Sequence, residues 1–199
     1  MTRSLGRFAR VLAVLSAACW GTAMAMPVLS VTSLSPGPAV GETFEVDVGV
    51  ADIADLYAFN FSLAFDPAVL QLHAIDEGPF LGGAGATVFI PGAIDNVAGT
   101  ASFTGGSLLS LAPGASGSGV LAKFSFQAAA GGSSALVLSD VLMLDSSLDE
   151  VAVTAIDGHV TAVPEPMSLT LWLAGLVALG RKRLARGRLS PGSWSPAAR

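Results

Sequence analysis

Two histidines, one cysteine and fifteen carboxylates are the first side chains to weigh for chemistry in this 199-residue chain. His73 follows Leu70-Gln71-Leu72 and His159 follows an Asp157-Gly158 turn. They share no H-x-x-x-H or comparable spacing, so they read as surface or strand residues rather than metal ligands. The carboxylate pairs Asp76-Glu77 and Asp149-Glu150 are adjacent in sequence. Neighbours on a strand point to opposite faces, which makes them poor partners for acid–base work. Asp140, Asp145, Asp149 and Glu150 offer hard oxygen ligands of the kind calcium takes, but their spacing is not that of an EF-hand. There is no G-x-S-x-G elbow, no phosphate loop and no Cys–His pair. No catalytic residue, no metal site and no cofactor is expected, calcium being the one weak candidate. The chain does not read as an enzyme.

The elements around these residues have an unusual composition. Hydrophobic residues make up 52% of the chain and charged ones only 13%, with 23 glycines. Between the two ends Val, Thr, Phe, Ser and Gly dominate, a mixture that favours short strands and turns. Lys123 is the single base between Arg10 and Arg181, and fourteen of the fifteen acids, all but Glu165, lie with it in residues 26–163, whose formal charge is therefore −13. Such a surface repels phosphate backbones, which excludes nucleic acid as a partner. The acidity reads first as a solubility device for an extracellular, glycine-rich domain.

The first 25 residues follow the plan of a signal peptide. Arg3, Arg7 and Arg10 precede the apolar run Val11–Ala18, and Ala23-Met24-Ala25 supplies the small residues a signal peptidase needs. Cleavage is expected after Ala25. Cys19 lies within this leader, and Leu15 is one position too far from it for a good lipobox. The mature domain then has no cysteine, hence no disulfide.

At the other end stand Val163-Pro164-Glu165-Pro166, the apolar run Met167–Gly180 and the cluster Arg181-Lys182-Arg183. Prolines on both sides of Glu165 keep that segment extended. The apolar run would be about 21 Å long as a helix. That is short for a hydrocarbon core of about 30 Å, although basic snorkelling extends it. The arginines and lysine hold their end in the cytoplasm by the positive-inside rule. Together with a leader, this ordered combination resembles the PEP-CTERM sorting signal over residues 163–188. The resemblance implies processing by exosortase, a membrane transpeptidase of exopolysaccharide-producing Gram-negative bacteria. It makes Pro164, Glu165, Pro166, Arg181, Lys182 and Arg183 recognition residues of a substrate tag. It also implies transient inner-membrane anchoring, then release to the cell surface, matrix or medium. The chain departs from the family in continuing to Arg199 with a polar, proline-containing extension.

Residues 26–163 carry period-two alternation, the mark of half-buried strands. Phe44, Val46 and Val48 alternate with Glu45 and Asp47; Phe59, Phe61 and Leu63 alternate with Asn60 and Ser62. Strands are expected at 28–34, 43–50, 56–65, 69–75, 86–90, 100–107, 118–127, 134–144 and 158–163, separated by Pro/Gly turns. Nine strands without a helix predict an all-β, two-sheet antiparallel sandwich of the jelly-roll type. Its predicted core is Phe44, Val46, Val48, Phe59, Phe61, Leu63, Phe103, Val120, Phe124 and Phe126. The order of Val40-Gly41-Glu42-Thr43-Phe44, the aromatic strand 58–65, Asp66-Pro67-Ala68-Val69-Leu70 and the closing Asp157-Gly158-His159-Val160 resembles the cohesin and carbohydrate-binding-module superfamily. Cohesins dock calcium-loaded dockerin modules through one sheet face. A dockerin-bearing protein is therefore one expected partner, its basic residues suiting the acidic surface. An extracellular polysaccharide is the alternative, though the domain has only Tyr57 and no Trp for stacking. A tail-anchored periplasmic binding domain is a third reading.

Overall fold

The computed structural model describes residues 26–35, 37–109 and 113–164. The sorting residues Glu165, Pro166, Arg181, Lys182 and Arg183, and the signal-peptidase residues Ala23 and Ala25, lie outside this set. Its elements are β1 (Val28–Ser33), β2 (Thr43–Ala64), β3 (Leu70–Glu77), α1 (Pro79–Gly82), β4 (Thr87–Ile90), β5 (Ala93–Asp95), β6 (Thr100–Leu108), β7 (Ala115–Ala128), β8 (Gly132–Asp145), β9 (Thr154–Ile156) and β10 (Gly158–Ala162).

The key element is β2. A straight strand of its length would extend about 70 Å. Instead Phe44 near its start and Phe65 just past its end both touch Phe126, with ring centroids 6.1 and 5.2 Å away. The strand therefore folds back, and it does so between Asp52 and Asp55, both at positive φ (56° and 57°). Aspartate enters the left-handed region more readily than most residues, which suits it to this arch. Serines of β7 tie the arch down: Ser118 Oγ accepts the Asp52 N–H and Ser116 Oγ accepts the Asp55 N–H.

Each arm of β2 belongs to a different layer. The first arm pairs with β1 and β7, with β9 beyond β1 and β3 beyond β7. The second arm pairs with β6 and β8, with β4 and β5 beyond β6 and β10 beyond β8. Phe61 of the second arm meets Phe124 of β7 across the interior at 6.1 Å. This is a sandwich whose two layers share one continuous chain.

The fold differs from the expectation in four ways. The strands expected at 43–50 and 56–65 are the two arms of β2. β5 and β9 are additional, and the one-turn helix α1 starts at Pro79, a residue suited to a helix start. β9 runs parallel to β1, so the sandwich is not wholly antiparallel. Finally, two expected core residues are not in the core. A bulge opposite Val48 and Gly49 leaves Val120 half-buried and buries both Leu121 and Ala122. A second bulge, in β6, turns Phe103 out to solvent and buries Thr104 in its place. Each inserts one residue and so reverses the alternation beyond it. The remaining eight expected core residues are buried.

Candidate functional site

The outer face of the second layer is built by register. Val88, Ser107, Ala58 and Leu144 form one row across β4, β6, β2 and β8. Ile90, Gly105, Asn60 and Leu142 form the next. Val88, Ile90, Phe103 and Leu142 are exposed. The glycines keep the centre low, and two shallow hollows result. The larger, about 180 Å³, lies between Val88, Ile90, Phe103 and Asn60. The smaller, about 80 Å³, lies between Asn60, Leu142 and Leu144. No ionisable side chain lines either. Asn60 borders both, and its Oδ1 is buried without a hydrogen-bond partner. An unsatisfied acceptor in an apolar hollow is costly until a donor reaches it.

Acids stand outside these two rows: Asp140 is exposed on β8 two residues before Leu142, and others lie on the first layer. On the outer face of the first layer Lys123 stands directly between Asp47 of β2 and Asp76 of β3, and its Nζ is 3.8 Å from Glu45. Such an exposed pair contributes little to stability. A partner with basic residues, expected from the sequence, would meet that surface and not the apolar face.

The other sequence candidates are not assembled into a site. His73 Nε2 lies 3.3 Å from Gln127 Oε1 on the first layer, and His159 is exposed on β10. Asp145 Oδ1 accepts the N–H groups of Ser147 and Asp149, which makes it a turn-former. Asp55 accepts the Ser146 hydroxyl and the Gly114 N–H, and the hydroxyl first, then the N–H, hold its carboxyl below the ordinary value of 3.8. Among the described residues no group of three or more His, Cys, Asp or Glu is placed to hold a metal ion. Pro164 closes the described part of the chain. Before it, Val163 donates its N–H to Pro38 and accepts one from Val40.

Sequence reasoning missed Asn60, Val88, Ile90 and Leu142 as site residues. A signal was present: Thr87-Val88-Phe89-Ile90 and Val141-Leu142-Met143-Leu144 are apolar on both faces, whereas a half-buried strand alternates.

An all-β sandwich with an uncharged, apolar sheet face has the build of a binding module. Residues 27–162 match the Cohesin domain family, and the chain belongs to that family. Cohesins are non-catalytic protein–protein interaction modules. Among solved structures the fold is similar to a non-cellulosomal cohesin of the archaeon Archaeoglobus fulgidus (19% identity, 73% of this chain and 97% of that one, TM-score 0.57). It is also similar to the second type II cohesin module of the ScaA scaffoldin of Acetivibrio cellulolyticus (15% identity, 72% and 94%, TM-score 0.60). A third is the ScaC cohesin of the same organism, solved in complex with the ScaB dockerin (19% identity, 69% and 99%, TM-score 0.58). Comparison with curated proteins finds no match.

Proposed function

We propose that this protein is an exported scaffold module that docks a dockerin-bearing partner on the outer face of β8, β2, β6 and β4. The observation that carries the reading is the apolar, uncharged face on a chain of the cohesin family. Its exposed Val88, Ile90, Phe103 and Leu142 are gathered on one face, and a gathered apolar patch marks an interaction surface. The leader exports the chain, and the tail holds it in the inner membrane until exosortase acts near Pro164–Pro166. Val163 supports this arrangement: its two backbone hydrogen bonds end the sandwich one residue before the tag begins. The released domain then serves at the cell surface or in the exopolysaccharide matrix.

Titration calorimetry of the full chain in mild detergent, against calcium-loaded dockerin modules encoded in the same genome, tests the docking. Saturable binding that EDTA reverses is expected. Absence of heat with every dockerin, together with retention on matrix polysaccharide, would replace this reading with a carbohydrate-binding one. The processing half has its own test, intact mass of the protein from surface and membrane fractions. A species running from Met26 to residues 163–166 is expected at the surface. A species that keeps residues 167–199 in the inner membrane would make this a tail-anchored periplasmic domain.

A further inference from the structure

Phe103 is in a conformation that bulky residues avoid. Its φ is +65°, the left-handed region, and the residue is 63% exposed. A Phe held there stores strain, and such strain collects at binding and catalytic sites. The cause is the β6 bulge. Thr104 pairs with Phe61 and Ala101 with Leu63, so Ser102 and Phe103 together face the single residue Ser62. Three contacts lock this shape. Ser62 Oγ accepts the Phe103 N–H at 3.3 Å. Thr104, fully buried, donates its hydroxyl to the Pro91 carbonyl at 3.0 Å. Gly92, at φ +82°, packs so closely that a Cβ there would stand 2.4 Å from the Ser102 carbonyl oxygen. A bulge so braced fixes the Phe103 backbone, and with it the direction in which the side chain leaves the sheet, before any partner arrives, which lowers the ordering cost of binding.

We infer that Phe103 is the pre-organised anchor of the docking face, and that it selects a partner whose contact surface is apolar and uncharged, with one hydrogen-bond donor over Asn60. This rests on the docking reading above. The partner chemistry follows from complementarity. The two rows beside the ring carry no charge, although the domain around them holds one base and fourteen acids. A basic contact surface would be desolvated against Val88, Ile90 and Leu142, whose rows hold no carboxylate, Asp140 of β8 standing outside them. The single polar demand is the orphan Asn60 Oδ1, which a hydroxyl or amide N–H satisfies.

The experiment is calorimetry of the full chain and of Phe103→Gly with the calcium-loaded dockerin modules, at low and high salt, alongside thermal melting. Glycine favours positive φ, so the variant melts at or above the temperature of the unchanged protein. Its Kd rises about tenfold or more, as for an aromatic hot spot. The unchanged protein's Kd moves less than about threefold between about 50 and 500 mM sodium chloride, and Asp47→Asn on the opposite layer leaves it in place. A Phe103→Gly variant that binds within about twofold of the unchanged protein overturns the anchor. A steep salt dependence overturns the uncharged partner surface. Failure of the unchanged protein to bind any dockerin overturns the docking reading, and the anchor with it.

Discussion

The Phe65 ring stands edge-on to the Phe126 ring, centroids 5.2 Å apart and planes at 79°. Phe65 lies just past the second arm of β2, and Phe126 lies on β7 in the opposite layer. The contact joins the two sheets at the end away from the Asp52–Asp55 arch. Phe126 also stacks on Phe44 and Phe124 within its own layer, so one ring serves both sheets.

Phe126→Ala therefore removes more than one layer's packing. A buried Phe truncated to Ala costs about 3–5 kcal/mol. The loss is expected at the upper end, read as a lower urea midpoint in equilibrium denaturation. A cost below about 2 kcal/mol would mean that the layers do not depend on this ring.

The β7 bulge makes a sharper test of register. Leu121 is 1% exposed while its neighbour Val120 is half-buried. Leu121→Asp places a charge in the core and is expected to unfold the domain at 25 °C or cost at least about 3 kcal/mol. Val120→Thr is expected to stay within about 1 kcal/mol. The reverse ranking in melting experiments would restore the uninterrupted alternation expected from sequence.

Asn96 guards an edge. Its carboxamide accepts the Leu72 N–H at 2.8 Å and donates to the Leu72 carbonyl at 2.9 Å, standing in for a neighbouring strand on the open side of β3. Asn96→Ala frees both groups. It is expected to lose about 1–2 kcal/mol and to increase self-association seen by light scattering, as an unguarded edge invites pairing. Unchanged scattering on storage would remove the edge-protection role.

Acid stability should report on the arch. The Ser146 hydroxyl and the Gly114 N–H lower the Asp55 pKa, and the Ala98 and Val97 N–H groups lower that of Asp95. A carboxyl with a depressed folded-state pKa adds stability above its unfolded value near 3.8, and this is lost as pH falls through the lower folded value. Melting temperature is thus expected to be insensitive to these groups from pH 5 to 8 and to fall below about pH 4. Asp55→Asn should melt lower at neutral pH and show a shallower acid decline. An unchanged acid limb in that variant would assign the decline to other carboxylates.

Much of the fold was legible because alternation and turn chemistry are local. Phe44-Glu45-Val46-Asp47-Val48 reads as a half-buried strand wherever it stands, and Asp66-Pro67 reads as its stop: the Asp66 carboxylate accepts the Ala68 N–H at 2.9 Å. The aromatic arm 58–65 was equally plain. The sequence by itself determined an all-β domain, most of its core and a single base among many acids.

What only the tertiary structure decided comes from pairings between distant residues. No local pattern marks Ser102-Phe103 as the doubled side of a bulge, because that depends on Ser62 standing opposite, 41 positions away. The same bulge sent Phe103 from the predicted core to the border of the apolar face, beside the Ile90 row. Asn60 looked like one polar residue in an alternating strand; Gly105 and Leu142 on either side leave its acceptor without a partner. Periodicity records which way a side chain points only while the register is unbroken. Bulges are set by what the neighbouring strands must accommodate, and that is settled when the sheet assembles.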